Sequence, residues 1–258
     1  MNDIADMTIW RFALSYLLLL AVLAVMKKCR IDRTRLLVVA SARMTVQLVI
    51  AGLALTYIFR HPHPLFTILY LLAMTAFAIH RVLSRCPGVN RRFKIAIALS
   101  LAAAGLGTVF FFVGAAVGAS PLNPRYMIPL SGMIMGNAMT GVTLGMKSFH
   151  ESVEAGREKI AALLDLGVEP DRILLPFANS ALETAILPTL NSMLGMGIVA
   201  LPGMMTGQIL SGTLPTTAIL YQISILIAIS AVVCLATFSS LHFGYKTLYN
   251  NRKQITGM

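Results

Sequence analysis

Charge is scarce in this sequence. Asp, Glu, Lys and Arg make up 12% of its 258 residues, about half the share usual in a soluble domain. By contrast, 57% of residues are apolar and the mean hydropathy is +0.78. A chain of this length could hide one core from water, but not this much apolar surface, so the expected solvent is a bilayer. Acidic groups are scarcer still, ten against 21 basic residues. The cations sit between apolar runs rather than along one face, which excludes a nucleic-acid-binding surface. Cysteine is nearly missing. Cys29, Cys86 and Cys234 are far apart and form no CxxC, which excludes a disulfide framework or a zinc site. No carboxylate falls deep in an apolar run, which weighs against a proton-driven carrier. Coupling to sodium through backbone oxygens stays open. Nucleotide machinery is missing too. GVTLGMKS (Gly141–Ser148) approaches a phosphate-binding loop but has Met146 where glycine is required. No nucleophile–base pair or metal-ligand set suggests an enzyme. With Asp3 and Asp6 ahead of the first apolar run, a cleavable signal peptide is not expected.

What is present is a series of runs long enough to cross a membrane. Seven are expected: Ile9–Met26, Leu36–Phe59, Leu65–Ile79, Ile95–Gly118, Met127–Met146, Leu190–Leu210 and Thr217–Leu241. Most of the cations fall in alternate connections: KKCRIDRTR, HRVLSRCPGVNRRFK, the segment carrying Lys147, Arg157, Lys159 and Arg172, and the tail with Lys246, Arg252 and Lys253. The basic side is cytoplasmic, which also keeps Cys29 and Cys86 reduced. The expectation is an all-α, multi-pass bundle of seven transmembrane helices in the inner (plasma) membrane. Its N-terminus lies outside and its C-terminus in the cytoplasm. The opposite connections, RHPHP, ASPLNPR and GTLPT, are short and proline-rich.

One permease-sized domain, residues 1–258, is therefore expected, with a single long polar segment at 147–188. In that segment Phe149, Val153, Ile160, Leu163 and Leu164 recur at helical spacing. Gly167 is placed to stop a helix and Pro170 to start the next. The segment reads either as an interfacial helix that only packs or as an element that docks on a partner. Glu151, Glu154 and Glu158 share a helical face, as a solvated surface or as a site for a cation or basic partner. His61 and His63 in HPHP could hold a metal, or the prolines could simply stiffen a turn. Arg43 falls inside the second span with Gln47 one turn on. A cation there must be buried against protein, snorkel or pair, and Glu183 is the one acid in reach of that role.

Breaks in the apolar pattern are the remaining signal. LPGMMTGQILSG (Leu201–Gly212) puts Pro202, Gly203, Gly207 and Gly212 where lipid makes helix breaks costly. Gly132, Gly136 and Gly141, with Ser131 and Ala138, give the fifth span a small-residue surface of the kind that lets helices approach in lipid. Two readings stand: these spans line a translocation path, or they only pack. The polar and thioether groups beside them are Ser131, Met135, Asn137, Met139, Asn191, Met204, Met205 and Gln208. Methionines favour soft metals and also fill irregular gaps, so the metal is unknown.

IPLSGMIMGNAM (Ile128–Met139), LGVEP (Leu166–Pro170), LPGMMTGQILSG, YQISI (Tyr221–Ile225) and RMTVQL (Arg43–Leu48) together resemble the FetB-type ABC exporter permeases. These are associated with iron export and related to plant aluminium-tolerance permeases. The resemblance covers nearly the whole chain. It implies a permease, working as a homodimer, that exports iron or another metal, free or chelated. ATP and Mg would be held on a separate ABC ATPase subunit, with no cofactor on this chain. EKIAALLDLG is similar to the coupling loop of many ABC permeases, which assigns ATPase docking to Glu158, Ala161, Ala162, Asp165, Gly167 and Pro170. Leu175–Pro176 arrives about one turn closer than the Leu-Pro of that loop. The alternative is an ATP-independent channel or facilitator.

Overall fold

The computed structural model describes residues 9–86 and 88–249; Asp3, Asp6, Arg252 and Lys253 lie outside them. The elements are α1 (Ile9–Lys28), α2 (Thr34–Arg60), α3 (Pro64–Leu83), α4 (Arg91–Phe111) continued by a π-helical turn (Phe112–Ala116), α5 (Pro124–Ala155), α6 (Arg157–Asp165), α7 (Pro170–Gly195), α8 (Gly203–Leu210) and α9 (Pro215–Tyr245). Among the described residues there is no β-strand. By length and composition α2, α3, α4 with its π turn, α5, α7 and α9 can each cross a bilayer.

Local chemistry sets the helix starts. α3, α5, α7 and α9 each begin on a proline, where the missing N–H is one no helical carbonyl would accept. The ring Nδ1 of His63 accepts the Leu65 N–H at 3.2 Å. His63 therefore caps α3, and HPHP is a capped turn. No group of three or more His, Cys, Asp or Glu side chains gathers as a metal site among the described residues. Asn123 Oδ1 caps α5 at the Arg125 N–H, 3.1 Å away. At the start of α4, Asn90 Oδ1 accepts the Phe93 N–H at 2.7 Å. Its Nδ2 donates to the Thr247 carbonyl at 2.8 Å, which ties the end of the chain to α4. Asn90→Ala removes both and is expected to cost about 2 kcal/mol, read as a lower melting temperature in detergent.

The chain divides into two compact units. One holds α1 and α2 with Leu210–Gly212; the other holds α3 to α7, most of α8, and α9. In the first, the Tyr16 and Thr45 hydroxyls join α1 to α2, and most of the large apolar side chains around them are exposed. Leu18 is 74% exposed and Leu53 70%. Helices this apolar and this open belong in lipid or against another protein.

In the second unit α5 packs against α3, α4, α7 and α9. Its buried residues Ile134, Ala138, Gly141, Val142, Gly145, Phe149 and Val153 follow the helical repeat. Two glycines set the helix spacing. A Cβ on Gly141 would lie 2.7 Å from Val233 Cγ1 of α9, and one on Gly145 2.6 Å from Thr237 Cγ2 and 3.3 Å from Ala185 Cβ of α7. The backbones approach here because there is no side chain between them.

Most expected spans coincide with helices, but one expectation needs correction. Leu190–Leu210 is not one span. α7 begins at Pro170, ends at Gly195, and a non-helical turn separates it from α8. Gly197 sits at φ +81° in that turn, a conformation that side chains disfavour. Glu151 and Glu154 on α5 and Glu158 on α6, beyond Gly156, are all exposed. Glu151 pairs with Lys147 at 3.6 Å and Glu154 with His150 at 3.7 Å, all on exposed surface.

Candidate functional site

Two parts of the second unit carry chemistry. The first is the outward side of α6. Ile160 is buried, and Leu163 and Leu164 pack on the core from the same helix. α6 ends as its sequence predicts: Gly167 takes φ +80°, its N–H donates to the Leu164 carbonyl, and the Val168 N–H donates to the Leu163 carbonyl. This is the paired closure of a glycine C-cap. Pro170 then starts α7 and is buried, and the Tyr249 hydroxyl donates to Asp171 Oδ1 at 3.4 Å. Burial and that carboxylate push the Tyr249 phenol above its usual range.

With the apolar side of α6 spent on its own chain, Glu158, Ala161, Ala162 and Asp165 form an exposed stripe at i, i+3, i+4 and i+7. Gly167 is exposed beside it, and Leu166 is 79% exposed at its end. An uncovered leucine between two carboxylates and two small side chains is an interaction surface in outline.

The second part is a cavity of about 270 Å³ between α5, α7 and α9, at the turn that ends α7. Met133, Asn137 and Thr140 line it from α5, Pro188, Thr189 and Ser192 from α7, Met196 and Pro202 from the turn, and Gln222 with Leu226, Ile229 and Val233 from α9. A larger cleft between α4 and α9 has mostly apolar walls, as a lipid-facing groove would. Asn137 lies about 20 Å along α5 from Pro124, and Gln222 about 10 Å along α9 from Pro215. The cavity therefore sits well inside the span.

The expected path residues divide. Asn137 and Pro202 line the cavity, and Asn191 is exposed next to Ser192. Ser131 and Met135 point the other way. The Ser131 hydroxyl donates to the Ile128 carbonyl at 2.9 Å against Met74, and Met135 is buried against Gly105. Met139 is half-buried on the core, as is Met204; Met205 and Gln208 are half-buried on α8. Of the small-residue positions, Gly136, Gly203 and Gly207 would place a Cβ in open space, and Gly132 would meet only Met74 at 3.5 Å. On α5 the tight approaches are at Gly141 and Gly145 instead. Arg43, Gln47 and Glu183 all lie on exposed faces of this single chain.

Gln222 was missed in the sequence. Its signal is an amide inside an otherwise apolar run, in phase with Leu226, Ile229 and Val233.

A family model described as "Uncharacterised protein family (UPF0014)" matches residues 9–249. "UPF0014 membrane protein YjkA" of Bacillus subtilis is 34% identical over 219 residues, 85% of this chain and 86% of that protein. "Probable iron export permease protein FetB" of Escherichia coli is 28% identical over 243 residues, 94% and 93% of the two chains. "Protein ALUMINUM SENSITIVE 3" of Arabidopsis thaliana is 33% identical over 204 residues, 79% and 72%. No solved structure matches the chain.

Proposed function

The chain belongs to the UPF0014 family, and from that premise we propose that it is the permease subunit of an ATP-driven exporter of metal ions, assembled as a homodimer with separate ATPase subunits. The observation that carries the reading is the exposed α6 stripe. Its small and acidic residues and Leu166 are presented outward, while the opposite face of α6 is fixed to its own core. Iron enters from the name of the Escherichia coli relative.

In this reading the membrane contains seven crossings, α1 among them. The sixth is broken. The Ser148 hydroxyl of α5 donates to Thr184 Oγ1 of α7 at 3.2 Å, and Ser148 lies about 36 Å along α5 from Pro124. A hydrocarbon core is about 30 Å thick. Thr184 is therefore at the far face, and Glu183 and everything before it in α7 project past the lipid. Thr184–Gly195 spans about 17 Å, and the turn and α8 complete the crossing. Non-helical backbone at this depth is tolerated only against protein or a cavity, and binding sites of transporters form at such breaks.

Force on the stripe moves α6 as a unit with the cytoplasmic ends of α5 and α7, because Phe149, Val153 and Ile160 pack in one core. Those two helices form two walls of the cavity. A push at α6 is thus delivered to the walls, opening the cavity to one side or the other.

The test is transport in inside-out proteoliposomes holding this chain and its ATPase. ATP-dependent uptake of Fe(II) is expected. Equal uptake without ATP or without the ATPase would instead establish a facilitator. Orientation has its own check. A membrane-impermeant maleimide should label Cys29, which is exposed between α1 and α2, in inside-out vesicles and not in right-side-out ones. Cys86, on the same side, should react slowly in both, because it is buried and burial pushes its thiol up, only partly offset by Lys94. Labelling of Cys29 from the outer face would reverse the topology.

A further inference from the structure

The connection from α3 to α4 carries charge of one sign only. Residues 80–94 hold Arg81, Arg85, Arg91, Arg92 and Lys94 and no acidic residue. None of these five forms an ion pair among the described residues. Topology accounts for cations on this side, but not for the hollow beside them. A pocket of about 180 Å³ opens there. Its rim is exposed and polar, with Arg85 from the connection and Lys147, His150 and Glu151 from the end of α5. Its floor is buried and apolar, with Phe93 of α4, Met146 and Phe149 of α5, and Leu248 beyond α9. Cys86 lines it too. Burial raises that thiol, and Lys94 is near enough to offset part of the rise. The one acid on the rim, Glu151, is 3.6 Å from Lys147 in an exposed pair, which is worth little against a competing anion. The level of the pocket follows from the helices. α3 has 20 residues, about 30 Å, which is the thickness of the hydrocarbon core, and Arg85 and Cys86 follow its end. Met146 and Glu151 lie about 33 and 40 Å along α5 from Pro124. Both helices put the pocket in the polar layer just past the hydrocarbon.

We propose that this pocket holds the headgroup of an anionic phospholipid of the cytoplasmic leaflet, its phosphate taken by Arg85 and Lys147 and its glycerol carbons set against Phe93, Met146 and Phe149. A cationic rim over an apolar floor matches a molecule in which charge and hydrocarbon are joined. A free phosphate would leave the floor unmatched. The volume is that of roughly six waters, so the acyl chains stay in the bilayer. Arginine offers a phosphate two parallel N–H donors, and basic pockets at the cytoplasmic ends of membrane helices suit lipid headgroups. An acidic segment of an ATPase is the other anion to weigh. The α6 stripe is itself acidic through Glu158 and Asp165, so it calls for a basic partner surface, which the cations of this pocket repel. The pocket joins the α3–α4 connection to the end of α5, so a bound lipid braces the helix that leads into α6. The site rests on the membrane orientation of the exporter reading, not on its cargo or its ATPase.

The experiment is native mass spectrometry of the full chain in detergent, titrated with phosphatidylglycerol or with phosphatidylcholine, whose choline cancels the phosphate charge. Phosphatidylglycerol should bind saturably and about tenfold more tightly, the worth of one hydrogen bond between charged groups. Arg85→Gln and Lys147→Gln should each remove about that factor, and both side chains are exposed, so neither substitution disturbs packing. Arg91→Gln with Arg92→Gln takes two charges from the same connection but outside the pocket, and should leave the affinity unchanged. Glu151→Gln removes the acid from the rim and should tighten binding. Equal binding of the two lipids, or equal weakening by the Arg91–Arg92 pair of substitutions, would reduce the site to diffuse attraction and overturn it. Displacement of the lipid by glycerol phosphate would assign the pocket to a soluble phosphate instead, and displacement by the ATPase subunit would assign it to a protein. Selective lipid binding without ATP-driven flux would overturn the exporter reading alone. ATP-driven flux without selective lipid binding would overturn this site alone.

Discussion

Gly145→Leu is expected to lower the melting temperature in detergent by about 10 °C and to cut the yield of monodisperse protein sharply. A Cβ at that position would sit 2.6 Å from Thr237 Cγ2, 3.3 Å from Ala185 Cβ and 3.4 Å from the Ala181 carbonyl oxygen. Two of these neighbours are a short side chain on α7 and its backbone, which cannot swing aside. Helices α7 and α9 must move outward, and overpacking of this kind costs about 3 kcal/mol, equivalent to that shift in a chain of this size. Little hydrophobic drive brings the helices back together in lipid, so the lost contact is not recovered elsewhere. Gly207→Ala is the control. Nothing lies within 4 Å of its Cβ position, and its melting temperature should stay within about 1 °C. A Gly145→Leu protein with wild-type stability would show that the three helices do not meet at this point.

On the exporter reading, Leu166→Asp should weaken binding of an ATPase subunit while leaving the membrane protein intact. Leu166 is 79% exposed, so its replacement removes no internal packing. As a central apolar contact in an interface it is worth about 2 kcal/mol, or roughly a 30-fold loss of affinity. The paired reversal Glu158→Lys with Asp165→Lys should act the same way on the encounter and be salt-dependent. Co-purified ATPase and metal-stimulated ATP hydrolysis should both fall, with unchanged retention on a sizing column. Wild-type stimulation in both variants would leave α6 as a packing helix only, the bland reading of its amphipathic pattern.

Much of this was legible because it is local. Composition predicted an all-α membrane protein. Pro170 predicted where α7 begins, and Gly167 predicted the stop of α6. The amphipathic repeat through Phe149, Val153 and Ile160 predicted which side of α6 is buried. The site was less legible. Ser131 and Met135 share a helix with Asn137 and a similar depth, but they face α3 and α4 rather than the cavity. Polarity alone does not say which side of a buried helix meets which neighbour. Of the three glycines expected to pack on the fifth span, only Gly141 meets a neighbouring helix closely, and Gly145, which the pattern did not single out, meets two.

The sequence by itself determined the solvent, the helical class, the stop of α6 at Gly167 with the start of α7 at Pro170, and the outward stripe of α6, since each follows from interactions within a few turns. Only the tertiary structure decided where α7 ends and at what level it lies beside α5 and α9. Hydropathy sums along one strand of chain and carries no information about its level beside another. The approach of α7 and α9 at Gly145 and the Ser148–Thr184 contact fix that level. They set α7 so that its broken end meets Gln222 in the interior.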